Sequence, residues 1–279
     1  MALSSLFGII PVAAVSALFF FLPAKVSGID YPVRDDKMIE KAHSSFAKIT
    51  GSRVTVWYAP EDLPKQKAAD LADLADKGIV LIEKSLFMTM DKSHYKTDHI
   101  EIIVENPVVS HVYGGYDHPR YDKPVVFLKN AQAASRTTPV LHEMTHIIAW
   151  KFSSHSLREG LANYMQLTNA PLAGYPAYPP RKMADNMASK ALESEYGESL
   201  FATLGKDGVD SLTLPTDPKS RPQFYAVSQS FTQYLIEKKG LAVFMKIYSA
   251  PSAEKACRKL TGKDLDEWKE EWRKQLKNR

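Results

Sequence analysis

The stretch that decides the fold is His142-Glu143-Met144-Thr145-His146, set in an apolar run over residues 139–150. Its spacing reads H-E-x-x-H. On an α-helix, residues four apart lie one turn apart on the same face, so His142 and His146 can offer two imidazole nitrogens to one metal ion. Glu143 follows the first histidine and projects beside the same point, where it can take a proton from a water that the ion activates. Val140, Leu141, Met144, Ile147 and Ile148 make the rest of the run apolar. The histidine pair is therefore expected to be at least half buried, and buried polar groups need partners. Thr138 suits a helix cap and Pro139 the first helical position.

Just downstream, residues 152–155 form a short polar link to a second helix carrying Leu161, Ala162, Met165 and Leu167. A link this short predicts an antiparallel helix pair. Glu159, in the first turn of the second helix, can then face the two histidines. Two histidines and one carboxylate leave a fourth position open, the pattern of a catalytic zinc site. Ser156-x-x-Glu159 also spells a capping box, and spacing alone leaves both readings open. His155, nine residues past His146, fits a third ligand poorly and is expected at the rim. His111 and His118 lie near strand turns and are expected in turn or surface roles.

Working outward, residues 37–49 read as a short amphipathic helix stopping near Gly51, and 53–58 as a β-branched, aromatic strand. Residues 63–88 carry one apolar stripe and predict a long helix. Strands follow at 100–104, at 108–113 (turned by Gly114-Gly115) and at 124–128. Beyond the central helix pair, 183–196, 198–204, 224–237 and 241–248 read helical, separated by loops rich in proline and glycine at 170–181 and 205–222. The charged tail, 253–279, places Leu260, Leu265, Trp268, Trp272 and Leu276 as an amphipathic helix packing on the body. The expected class is α+β: a small mixed or antiparallel sheet lobe (29–151) packed on the H-E-x-x-H helix, then a mainly helical lobe (152–279), in one domain.

Glu159-Gly160-Leu161-Ala162-Asn163-Tyr164 resembles the E-G-x-A-x-Y segment that follows H-E-x-x-H in gluzincin metallopeptidases of the peptidase MA-like group. The strand lobe with its Gly-Gly turn, residues 224–231, and residues 260–265 with Trp272 are similar to the same family, so the resemblance covers most of 50–279. It implies a zincin-like fold and one Zn2+ held by His142, His146 and Glu159. It further implies Glu143 as general base, Tyr225 as donor to the oxyanion, and strand 124–128 beside the cleft, where an edge could pair with an extended peptide. The activity implied is hydrolysis of peptide or protein substrates. The chain departs from the pattern at Asn163, where relatives often carry an acidic residue that orients a ligand histidine; an amide oxygen can accept the same imidazole proton without charge. The gap before Glu159 is also shorter than in the best-known gluzincins. A non-catalytic zinc-bearing peptide-binding protein of the same fold is the alternative, and the retention of Glu143 argues against it.

Residues 6–22 form an almost unbroken apolar run, and Val26 and Gly28 suit a signal-peptidase site. The run is short for a full membrane span and lacks a preceding basic residue. Residues 1–28 are thus expected to be a signal peptide or a membrane anchor, making the protein exported (secreted or periplasmic) or membrane-attached. One cysteine, Cys257, in 279 residues excludes an intramolecular disulfide and any cysteine-rich metal site. A net charge of +4 with no dense Lys/Arg block argues against nucleic acid as a partner.

Overall fold

A computed structural model of the chain describes residues 31–107, 110–114, 123–135, 138–169, 180–208 and 220–278. The expected leader (1–28) and His118 lie outside the described residues, as do most of the two proline-rich loops and the start of the strand expected at 108–113. Among the described residues, no helix is long and apolar enough to cross a membrane.

The first lobe is a mixed five-stranded sheet between helical layers. Helix α1 (Tyr31–Ser45) leads into β1 (Ala47–Thr50) and β2 (Val54–Tyr58); α2 (Lys65–Leu86) then crosses to β3 (Ile100–Glu105), with a single turn, α3 (Lys92–Tyr95), before it. Strands β4 (His111–Tyr113) and β5 (Val125–Lys129) complete the sheet in the order β1-β2-β3-β5-β4. The β2–β3 and β3–β5 pairs are parallel, whereas β1–β2 and β4–β5 are antiparallel. Strand β5 is therefore interior, and β4 is the edge on that side, with β1 the edge on the other. The edge expected at 124–128 belongs to 111–113 instead, because the antiparallel return of β4 covers β5.

Alternation along the strands fills two cores. Val54, Val56, Ile100, Ile102, Val104, Val126 and Leu128 face the main core with α2; Ile103, Val125 and Phe127 face α1 through Met38, Ile39 and Ala42. Helix α1 is also tied to the edge strand. Asp35 meets His111 Nε2 at 2.8 Å, and Tyr113 Oη donates to Asp36 at 2.8 Å. The helix expected over 37–49 stops at Ser45. Ala47–Thr50 alternates half-buried and exposed positions, which suits an edge strand paired to β2 better than a helix end.

After a short helix, α4 (Asn130–Ser135), come α5 (Val140–Ile148) and α6 (His155–Thr168), which carry the predicted site. The cap position of α5 is Pro139 and no side chain caps it, so Thr138 does not have the expected role. The second lobe is helical: α7 (Pro180–Leu192), α8 (Gly197–Thr203), α9 (Ser220–Lys239), α10 (Leu241–Tyr248), α11 (Ala253–Thr261) and α12 (Leu265–Lys277). The tail is two helices rather than one, broken by Gly262 at φ 79° and restarted by an Asp264–Glu267 capping box. Helix α12 is fastened inward by Trp272, whose Nε1–H donates to Ser230 Oγ at 2.9 Å; that hydroxyl donates to Asp185 at 2.6 Å.

Candidate metal centre

Two close helix approaches set the position of α5 and α6. A Cβ at Gly78 would stand 2.4 Å from Leu141 Cδ2, so α2 packs directly on α5. A Cβ at Gly160 would stand 2.2 Å from Thr232 Oγ1 and 2.4 Å from the Ser228 carbonyl oxygen, so α9 lies against α6 with no room for a side chain. The pair α5 and α6 runs antiparallel: His142, early in α5, meets Asn163 and Gln166 late in α6, while His146 meets Glu159 near its start.

Glu159, Asn163 and Gln166 stand at i, i+4 and i+7, one face of α6 turned to α5. Glu159 brings Oε2 to 3.3 Å from His142 Nε2 and 3.4 Å from His146 Nε2. The two Nε2 atoms are 3.0 Å apart. Asn163 Oδ1 accepts from His142 Nδ1–H at 2.9 Å, which fixes the ring's orientation and turns Nε2 toward Glu159 and His146. Gln166 Oε1 accepts the His142 backbone N–H at 3.0 Å, satisfying a first-turn donor that α5 itself leaves unpaired.

The donor set fits a cation. Three ligand atoms around a tetrahedral ion at about 2.0–2.1 Å stand about 3.3–3.4 Å from one another, close to the three separations found. The cluster of His142, His146 and Glu159 is buried and could hold a metal ion. His146 is 6% exposed and Glu159 3%, whereas the His142 side chain retains 12%, so the centre reaches solvent on the His142 side. Among the described residues His146 Nδ1 is buried with no hydrogen-bond partner, so packing rather than a carboxylate of these residues orients that ring.

The surroundings keep two of the three donors, Glu159 and His146, deprotonated and favour the proton on the third, His142. Burial pushes the Glu159 carboxyl up, but His146, Arg158 and hydrogen bonds from both imidazoles outweigh it and hold the group well below its ordinary range. His146 is pushed down to about 3, first by burial and then by the Arg158 charge. Burial also pushes His142 down, yet the Glu159 hydrogen bond and the charges of Glu143 and Glu159 leave it raised. Glu143 is 5% exposed and its carboxyl is raised, chiefly by burial.

The capping-box reading of Glu159 fails. The cap residue of α6 is Ser154, and Ser156 lies inside the helix, where its Oγ accepts the Gly205 backbone N–H at 2.7 Å. Tyr225, on α9, stands edge-on to His142 with ring centroids 6.4 Å apart. His155 packs on Phe152 at 5.1 Å, outside the cluster. His111 pairs with Asp35, outside it too. Arg158 and Gln166 are contributors that spacing did not reveal. Arg158 donates from Nη1 to Glu159 Oε1 at 2.9 Å, although adjacent helix residues ordinarily diverge. A separate open groove, lined by Arg53, Glu83, Phe87, Met90 and Trp150 among others, lies at the far, C-terminal end of α5 and includes none of these groups.

No protein-family model matches the chain, and no curated protein matches it. Among solved structures the chain is similar to the crystal structure of a functionally unknown conserved protein from Bacillus anthracis str. Ames, at 15% identity and a TM-score of 0.44. The match covers 90% of this chain and 55% of that one, so this chain spans about half its length.

Proposed function

We propose that the protein is a zinc-dependent peptidase of the gluzincin type, with a zincin-like fold. The observation that carries this reading is the triangle of His142 Nε2, His146 Nε2 and Glu159 Oε2, with the buried Glu143 carboxyl in electrostatic reach of His142 and Glu159. Two imidazoles and a carboxylate suit zinc and also suit iron(II), but not calcium or magnesium, which take oxygen ligands. Glu143 beside the triangle favours hydrolysis. A bound zinc ion would lower the pKa of water and polarise a scissile carbonyl.

The chain's own residues supply the proton traffic. Glu143 accepts the proton of the attacking water and delivers it to the leaving amine; burial raises its carboxyl above the ordinary range, which strengthens it as a base. Tyr225 stays protonated, because burial and the negative charges of Glu159 and Glu143 oppose its ionisation. Its hydroxyl therefore serves as the donor to the oxyanion. Asn163 and Gln166 hold His142 in place, one through its ring and one through its backbone. Together with the apolar leader, this reads as an exported or membrane-anchored enzyme acting on polypeptides.

The test is elemental analysis of the purified protein, paired with cleavage of an unfolded polypeptide before and after chelation. About one zinc per chain is expected, with cleavage abolished by the chelator and restored by zinc. Zinc without cleavage would favour the non-catalytic peptide-binding alternative, and iron in place of zinc would overturn the hydrolase reading.

A further inference from the structure

A carboxylate has two oxygens, and beside a cation both can ligate. A two-oxygen Glu159 would take an extra coordination position, the one that hydrolysis needs for water or substrate. Here the two oxygens face different partners. Oε2 points to the two histidines, at 3.3 and 3.4 Å. Oε1 accepts from Arg158 Nη1 at 2.9 Å, a charge-assisted bond. The guanidinium is itself held: its carbon lies 5.2 Å from the centre of the Phe152 ring, in the link between α5 and α6. Successive side chains on a helix point about 100° apart and do not ordinarily meet. The Arg158 chain bends back over Phe152 to reach its neighbour, so the contact is not a default of the helix.

We propose that Arg158 is a positioning residue that limits Glu159 to ligation through a single oxygen, Oε2, and so keeps the metal four-coordinate with one exchangeable position. This rests on the reading of His142, His146 and Glu159 as metal ligands and goes beyond it. Two features distinguish the role from that of an ordinary surface ion pair. The acceptor carboxylate is buried, and the oxygen that Arg158 occupies is the one the histidines leave unused. The short link matters as well, since Phe152 is the platform on which the guanidinium rests.

The test uses the full chain loaded with cobalt(II), whose visible absorption reports coordination: four-coordinate sites lack a centre of symmetry and absorb strongly, whereas five- and six-coordinate sites absorb weakly. The wild type is expected to give the strong spectrum. Arg158→Met frees Oε1 and should lower the absorption several-fold with cobalt still bound. Arg158→Lys retains an N–H donor for Oε1 and should keep most of it. An Arg158→Met spectrum identical to the wild type overturns the inference, as does an Arg158→Lys loss equal to that of methionine. Should Arg158→Met fail to fold, zinc-edge X-ray absorption of the wild-type holoprotein decides: a one-oxygen carboxylate supports the inference, and a second Glu159 oxygen in the coordination shell overturns it. If the wild type takes up neither cobalt nor zinc, the metal-binding reading itself fails; if it binds and only the Arg158 variants disagree, the ligand set stands and the positioning role falls.

Discussion

Asn163 Oδ1 accepts the Nδ1 proton of His142 at 2.9 Å, placing an uncharged amide behind the ring whose other nitrogen faces Glu159. Partners of this kind orient a ligand and raise its basicity, and losing one typically costs about 10- to 100-fold in metal affinity. Asn163→Ala is therefore expected to weaken zinc binding by about that factor, and Asn163→Asp to hold zinc at least as tightly as the wild type. Competition against a coloured chelator measures both. Equal affinity in the alanine variant would remove Asn163 from the site.

Glu143→Gln should leave zinc content and folding intact, because it replaces a buried carboxyl with an amide of the same shape. Peptide cleavage should fall by about 10²–10⁴, the usual worth of a positioned general base. Tyr225→Phe should retain zinc and lose about 10²-fold in kcat. Turnover near the wild-type level in either variant would sink the role given to that residue.

Metal affinity should rise by about one order of magnitude per pH unit below the raised His142 value and level off above it, the signature of one proton displaced per ion. His142, raised above its ordinary value near 6.5, is the group that must lose that proton. His146, pushed down to about 3, and Glu159, held well below the carboxylate range, are already deprotonated. Affinity therefore falls as pH drops through the raised His142 value. The sign for metal-free stability is opposite: a raised imidazole favours the folded state fully below its unfolded pKa, and that contribution fades as pH rises through the folded value. A titration of zinc affinity with a slope of two protons would contradict this assignment.

Gly160→Ala should destabilise the protein by about 1–3 kcal/mol, the usual cost of forcing extra volume into a packed interface. Its Cβ meets the Ser228 carbonyl, a backbone atom that cannot swing aside. A lowered urea midpoint is the readout. An unchanged midpoint would mean that α6 and α9 are less tightly apposed than these distances require.

Much of the centre was legible in the sequence because it is encoded by helical spacing. The i, i+4 histidine pair and the short link to Glu159 specify a two-helix site with few alternatives, and α5, α6 and α10 lie within a few residues of where periodicity puts them. The Ser156–Glu159 ambiguity could not be settled by spacing, since a capping box and a ligand share the same pattern; a helix cap at Ser154 removes the capping box and leaves Glu159 as a candidate ligand. Arg158 escaped notice because neighbours on a helix are expected to diverge. The sheet edge was misplaced because strand order is set by long-range pairing, on which β4 and β5 carry no local signal. Strand β1 was missed for a related reason: four alternating residues after an apolar helical stripe continue that stripe on paper, and only pairing with β2 turns them into a strand.

The candidate ligands and their supports come from α5, α6 and the link between them, a helical hairpin within residues 140–168, whereas Tyr225 arrives on α9 through the contact at Gly160. Hairpin contacts are local and close quickly; docking of a helix from so much later in the chain is slower. During refolding, the His142–His146–Glu159 cluster should thus form before Tyr225 reaches it. On the proposed reading, a chain whose later helices have not yet docked would already be able to bind its ion while lacking the Tyr225 donor, so metal uptake and full turnover would be separable in time.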